Sequence, residues 1–146
     1  MTTIYDETSV GAVLYSIDKS FNIYYLILNY SYGHWDFPKG NIESGETELE
    51  TIKREIMEET GIVDIKFVDG FRQPISYKYK KKSRLINKSV VYYIVETFAN
   101  KVVLSFEHID FAWLTFNDAL NKLSFDNSKI VLKNANELLL NIYKKY

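Results

Sequence analysis

Three glutamates crowd one short stretch, at Glu55, Glu58 and Glu59. At about 100° per residue the i, i+3, i+4 spacing puts all three carboxylates on one helical face. Leu49, Ile52 and Ile56 fall on a different stripe, one suited to a core. Like charges at i, i+4 weaken a helix by only about 0.2–0.5 kcal/mol per pair. A solvated acidic face is therefore the ordinary reading of such a cluster. The residues around it argue for chemistry instead. Gly40 and Gly45 bracket a tight loop, and Glu46 begins the next turn. Arg54 directly precedes the triplet, and Gly61 follows as a C-cap glycine would. Oxygen-only ligands at this spacing suit Mg2+ or Mn2+, hard cations that bind a few carboxylates together with substrate phosphates.

The elements that must position these carboxylates can be read from pattern. Ser9 to Ile17 is apolar and β-branched and reads as a buried strand; Asn22 to Asn29 reads as its hairpin partner. A loop from Tyr30 to Asp36 leads through Phe37-Pro38-Lys39-Gly40 to a helix expected over Glu46 to Thr60. Ile62 to Phe71 has strand character, with a break at Pro74 before Ser76 to Tyr79. Lys80 to Asn87 reads as a long basic hairpin loop, Ser89 to Phe98 as a strong strand, and Ile109 to Leu114 as a short one. From Phe116 the chain turns helical, with helical spacing at Val131, Ala135, Leu138 and Ile142. This order supports an α/β or α+β fold, a mixed sheet with helices on both faces.

The chain of 146 residues is expected to be one domain, 1–146, with an ordinary globular composition of 47% apolar and 25% charged residues. A net charge of −1 gives no global field toward nucleic acid or membrane. With no cysteine, disulfides and thiolate metal sites are excluded. The N-terminal stretch lacks a leader pattern, and no apolar run is long enough to span a bilayer. A cytoplasmic, monomeric protein is the expectation.

The stretch from Gly40 to Ile62 resembles the Nudix box, G-x5-E-x7-R-E-U-x-E-E-x-G-U with U apolar. Gly40, Glu46, Arg54, Glu55, Glu58, Glu59 and Gly61 fill its seven fixed positions, and Ile56 and Ile62 its apolar ones. So long a match at fixed spacing is far more specific than a lone glycine motif. The resemblance implies an α/β/α sandwich with a mixed central sheet. It also implies metal-dependent cleavage of a nucleoside diphosphate linked to some group X. By the family's pattern Glu55 orients or deprotonates the attacking water, Arg54 holds Glu55, and Glu58 shares in the catalytic set. The implied metal-binding set is Gly40, Glu55, Glu58 and Glu59, joined by Glu107 from the downstream segment Ser105-Phe106-Glu107-His108.

Softer signals resemble one subgroup, the asymmetric bis(5'-nucleosyl)-tetraphosphatases. His34-Trp35-Asp36-Phe37-Pro38-Lys39-Gly40 matches its H-W-x-x-P-K-G order, although Phe37 stands where proline is frequent. The resemblance implies substrate contacts from His34, from Lys39 and Lys88 to phosphates, and from Tyr77 on the adenine side. Phe125 is placed to stack on a base opposite Tyr77. The basic run Lys78, Lys80, Lys81, Lys82, Arg84 and Lys88 is interleaved with Tyr77 and Tyr79, a pattern that can bind nucleic acid. For Lys80 to Lys82 a solvated hairpin tip is expected. The implied activity is hydrolysis of diadenosine tetraphosphate to ATP and AMP. The alternatives are an RNA 5'-triphosphate pyrophosphohydrolase, a house-cleaning nucleoside triphosphatase and a non-catalytic nucleotide sensor. The expected partner is a small nucleotide, with no membrane and no nucleic acid beyond RNA 5' ends.

Overall fold

Apolar residues on alternate positions of the first long strand are buried on both sides. Val10, Ala12 and Leu14 join one core, while Val13 and Tyr15 join another. A strand covered on both faces belongs at the centre of a layered fold. The structure, a computed structural model, describes residues 4–99 and 101–144. The first three residues of the stretch read for a leader, and the last two of the expected domain, lie outside them.

In chain order the elements are β1 (Glu7–Ile17), β2 (Ile23–Tyr30), β3 (Trp35–Asp36), β4 (Lys39–Asn41), α1 (Glu48–Thr60), β5 (Ile65–Phe67), β6 (Gln73–Lys81), β7 (Arg84–Thr97), β8 (His108–Leu114), α2 (Phe116–Lys122) and α3 (Asp126–Tyr143). The sheet is mixed and runs β3-β2-β1-β7-β5, with β8 on β2, β4 on β1 and β6 on β7. β1 and β7 are parallel, from Glu7↔Lys88 to Tyr15↔Glu96. On its other edge β1 pairs first with β4, as Gly11↔Lys39, and then with β2, as Tyr15↔Tyr25.

Helices cover both faces. Ile52 and Ile56 of α1 pack with Val10, Leu14, Leu26 and Leu28. Val131, Leu132, Ala135 and Leu139 of α3 pack on the opposite face with Val13, Ile27, Val90 and Ile94. No helix among the described residues is long and apolar enough to cross a membrane.

α1 starts two residues later than its acidic pattern suggested. Thr47 caps it, accepting from the Glu50 amide at 3.2 Å, while the Glu50 carboxylate reaches back to the Thr47 amide. This reciprocal cap satisfies two amides that lack helical partners. Glu46 is thereby left outside the helix, free to turn toward Arg54. At the far end Gly61 sits at φ 74°, and its N–H bonds the Met57 carbonyl. That left-handed position favours glycine.

Three expectations for the middle of the chain need correction. The strand after Gly61 shrinks to Ile65–Phe67. Pro74 does not break a strand but lies inside β6, opposite Val91. β6 pairs only with β7, so proline sits on an edge strand, where its missing N–H removes no ladder bond. The long basic loop is not a loop. β6 and β7 continue to Lys81↔Arg84 around the two-residue turn Lys82-Ser83, whose φ values are 50° and 68°. Positive φ at both central positions matches the twist of a tight hairpin. Neither residue is a glycine or asparagine, so no local residue type signals the turn.

Candidate active site

Hairpin geometry decides which β6 side chains meet the site. Ile75, Tyr77 and Tyr79 face inward, while Lys78 and Lys80 are exposed. Ile75, Tyr77 and Tyr79 help to line a cleft of about 1360 Å3, whose opposite wall is the acidic face of α1.

Arg54 organises that acidic wall. Its Nε donates to Glu46 at 2.7 Å, and its Nη2 donates to the Asn41 carbonyl at 2.9 Å. Nη1 donates to Glu55 at 2.7 Å and to Glu58 at 3.2 Å. The guanidinium thus ties the loop before α1 to two carboxylates on α1. Hydrogen bonds from Arg54 and from the Glu43 amide hold the Glu46 carboxyl down at about 2. Glu55 goes the other way. Burial pushes its carboxyl up to about 7; Arg54 opposes the rise, and Glu59 and Glu58 add to it. Its carboxylate rests against Gly40 of β4. A Cβ built on Gly40 would lie 2.0–2.4 Å from the Glu55 carboxylate atoms. Glycine at position 40 therefore makes room for the Glu55 carboxylate, and its role is close approach, not turn formation.

Glu59 is only 3% exposed. Its Oε1 accepts the Lys39 amide at 2.9 Å, and its Oε2 accepts the Tyr30 hydroxyl at 3.2 Å. His108 Nε2 lies 2.9 Å from the same Oε2, but its N–H is not aligned along that line. The other ring nitrogen, Nδ1, is 2.9 Å from Ser105 Oγ. Burial raises the Glu59 carboxyl, and His108, the Lys39 amide and Tyr30 pull it back.

The third wall is basic and aromatic. Lys39 Nζ pairs with Asp36 Oδ2 at 3.0 Å. Asp36 is buried, and its Oδ1 accepts Ser128 Oγ and the Phe37 amide, both at 2.8 Å. It thus pins β3 and Lys39 to the start of α3. Burial acts to lower the Lys39 ammonium, but Asp36 and Tyr77 reverse this and leave it raised. Lys88 stands opposite Tyr77 in the ladder, 3.8 Å from Glu7. Burial, with help from Lys39, lowers it. His34 stacks on Tyr30 at 5.0 Å and tilts against Phe125 at 5.2 Å. Two hydrogen bonds hold these loops together: the Trp35 amide donates to Ser124 Oγ, and the Ser124 amide to the Trp35 carbonyl.

Every residue expected in the site lines this one cleft. Gly40, Arg54, Glu55, Glu58 and Glu59 form the acidic side. Lys39, Tyr77, Lys88, His34 and Phe125 form the other walls, and Glu107 lies exposed on the rim. Tyr77 and Phe125 do not meet: the ring partner of Tyr77 is Tyr79, and that of Phe125 is His34. His108 comes within 2.9 Å of the Glu59 carboxylate, while Glu107 stays exposed at the cleft rim. Asp36, Tyr30 and Asn41 also serve the site, and only the folded register reveals them.

Among the described residues no three acidic or imidazole side chains already converge as a metal shell. The donor set nonetheless fits a divalent cation. Mg2+ uses one or two carboxylates and completes its shell with phosphate oxygens and water. Glu55 supplies a half-buried carboxylate at the cleft wall, and burial raises its pKa. Glu58 is half-exposed beside it, facing the open cleft.

The family model for the NUDIX domain matches residues 7–133. The chain belongs to the Nudix family, a family of pyrophosphohydrolases. Within it, the chain is 35% identical over 123 residues to the asymmetrical bis(5'-nucleosyl)-tetraphosphatase of Rattus norvegicus, covering 80% of this chain and 81% of that one. It also superimposes on a C. elegans Ap4A hydrolase binary complex with a TM-score of 0.81 and 26% identity, over 92% of this chain and 98% of the other. A shorter similarity, 40% over 47 residues, links 32% of the chain to 30% of an RNA pyrophosphohydrolase of Helicobacter pylori.

Proposed function

We propose that this protein hydrolyses dinucleoside polyphosphates, diadenosine tetraphosphate foremost, releasing ATP and AMP. One observation carries the reading: a single cleft joins the acidic face of α1 to two lysines and several aromatic rings. Similarity to the rat tetraphosphatase over four-fifths of both chains supports it.

Glu55, Glu58 and Glu59 would hold Mg2+ or Mn2+, with Gly40 leaving the space and Glu107 available on the rim as a further ligand. Such a cation neutralises phosphate charge and acidifies water when bound. Glu55 takes the proton from water as its oxygen bonds to phosphorus, and the bridging P–O bond breaks toward the leaving nucleotide. A base near neutral pKa suits that transfer. Arg54 fixes the Glu55 carboxylate. Lys39 and Lys88 meet phosphates as point charges. Tyr77 stacks on the adenine side, and His34 and Phe125 bound the other flank. The protein works as a cytoplasmic monomer in this reading.

Glu59→Gln should remove most hydrolysis, by roughly ten- to a hundredfold, with an unchanged circular dichroism spectrum. Near-normal turnover would take Glu59 out of the metal set.

The second reading, cleavage of RNA 5' triphosphates, draws on the short similarity to the Helicobacter enzyme. Against it, Lys78 and Lys80 project from the exposed face of β6, away from the cleft. A competition assay with diadenosine tetraphosphate, ATP and 5'-triphosphate RNA separates these readings and the nucleoside triphosphatase. Preferred turnover of the dinucleotide is expected; dominant RNA cleavage would overturn it.

A further inference from the structure

Two large aromatic side chains at the mouth of the cleft have no part in the site described so far. Tyr32 is 90% exposed and Phe106 is 94% exposed, yet both line the cleft. They sit on separate loops, before β3 and before β8. A backbone hydrogen bond of 3.0 Å from Ser31 N–H to the Glu107 carbonyl joins those loops one residue from each ring. The Tyr32 ring is also near-parallel to His34, at 4° and 6.3 Å between centroids.

We infer that Tyr32 and Phe106 form a second nucleobase subsite, which holds the base of the distal nucleoside of a dinucleoside polyphosphate. The inference rests on the substrate class proposed above. Exposed aromatic faces gain by stacking on a planar base, whichever base it is, because every base presents a π-face. The cleft is larger than the roughly 300–1,000 Å3 that serves one drug-sized ligand, as a two-base substrate requires. Tyr77 and Tyr79 on β6 supply an aromatic pair for the first base. The rim pair is adjacent to Glu107, so a phosphate chain crossing the acidic wall leads outward toward it. Ring stacking tolerates any planar base, so the subsite selects for the presence of a second base over its identity.

The test compares diadenosine tetraphosphate with adenosine 5'-tetraphosphate, which has the same phosphate chain and one base. Tyr32→Ala and Phe106→Ala should each raise KM for the dinucleotide about tenfold, within the range that base–aromatic stacking supplies. KM for adenosine tetraphosphate should stay within about twofold, which also serves as the control for folding. Tyr32→Phe and Phe106→Trp, which keep a ring, should retain wild-type KM for both. Unchanged KM for the dinucleotide in both alanine variants, or an equal rise for both substrates, overturns the subsite. If the wild-type protein fails to turn over the dinucleotide, the proposed function itself falls and the subsite falls with it; that result is read before any variant is made.

Discussion

Glu55→Gln is expected to lower kcat by about a hundred- to ten-thousandfold, the range over which a positioned general base contributes. The amide is nearly the same size as the carboxylate, and its oxygen can still accept from Arg54 Nη1, which now lies 2.7 Å from Glu55. The fold should therefore survive. A second readout separates loss of the base from loss of structure. The Glu55 carboxyl is pushed up to about 7, first by burial, with Arg54 on its own helix opposing and Glu59 and Glu58 adding. In the metal-free protein the folded state thus keeps a proton that the unfolded chain releases near its ordinary carboxylate range. Stability from this group is full below that range and is lost as pH rises through about 7. A rise from the ordinary 4.5 to about 7 corresponds to at most about 3–4 kcal/mol. Chemical denaturation of the metal-free wild type should show this decline between pH 5 and pH 8, and Glu55→Gln should flatten it. A variant with wild-type kcat would remove Glu55 from catalysis. One with an unchanged pH slope would show that its carboxyl is not the strained group.

Gly40→Ala should be nearly as damaging to turnover while leaving stability almost untouched. The added methyl would land 2.0–2.4 Å from the Glu55 carboxylate, closer than atoms can sit. The obstructed atoms are the end of a flexible side chain, so Glu55 swings aside and the backbone pairing Val10↔Gly40 persists. A misplacement of about 1 Å in a catalytic group can lower rates by roughly a hundredfold. The expected result is a fall in kcat of that order, with a Tm within a few degrees of wild type. Full activity in this variant would mean that the resting position of Glu55 has no bearing on the chemistry. A collapse of Tm would mean that Gly40 serves the sheet instead.

These two positions show what could be read in advance. The box carboxylates are spaced by the helix itself, so their common face followed from the 3.6-residue period alone. The β1–β2 hairpin and α3 were equally legible, because their apolar residues repeat with the period of the element that holds them. Asp36 was not. It is one acidic residue in a loop, and it becomes a buried anchor only when α3 brings Ser128 against it. His108 and Glu107 were indistinguishable as neighbours. Register on β8 turned His108 inward to Glu59 and left Glu107 on the rim. The Lys82-Ser83 turn escaped because its residues are not those that adopt positive φ readily. In each case the deciding contact joins residues distant in the chain, and no local pattern records it.

The parallel β1–β7 pair has a consequence for the order in which the molecule is made. Glu7 pairs with Lys88, roughly eighty positions later. Sheets built from such remote partners close slowly, since the loop entropy is spent before the ladder forms. α1 and its acidic face can nucleate from local contacts, but Tyr77 and Lys88 arrive with the last strands of the sheet. During synthesis on the ribosome Lys39 and the acidic helix therefore emerge well before Lys88 and the aromatic strand that complete the opposite wall. A nascent chain ending short of β7 carries the signature residues and no competent enzyme.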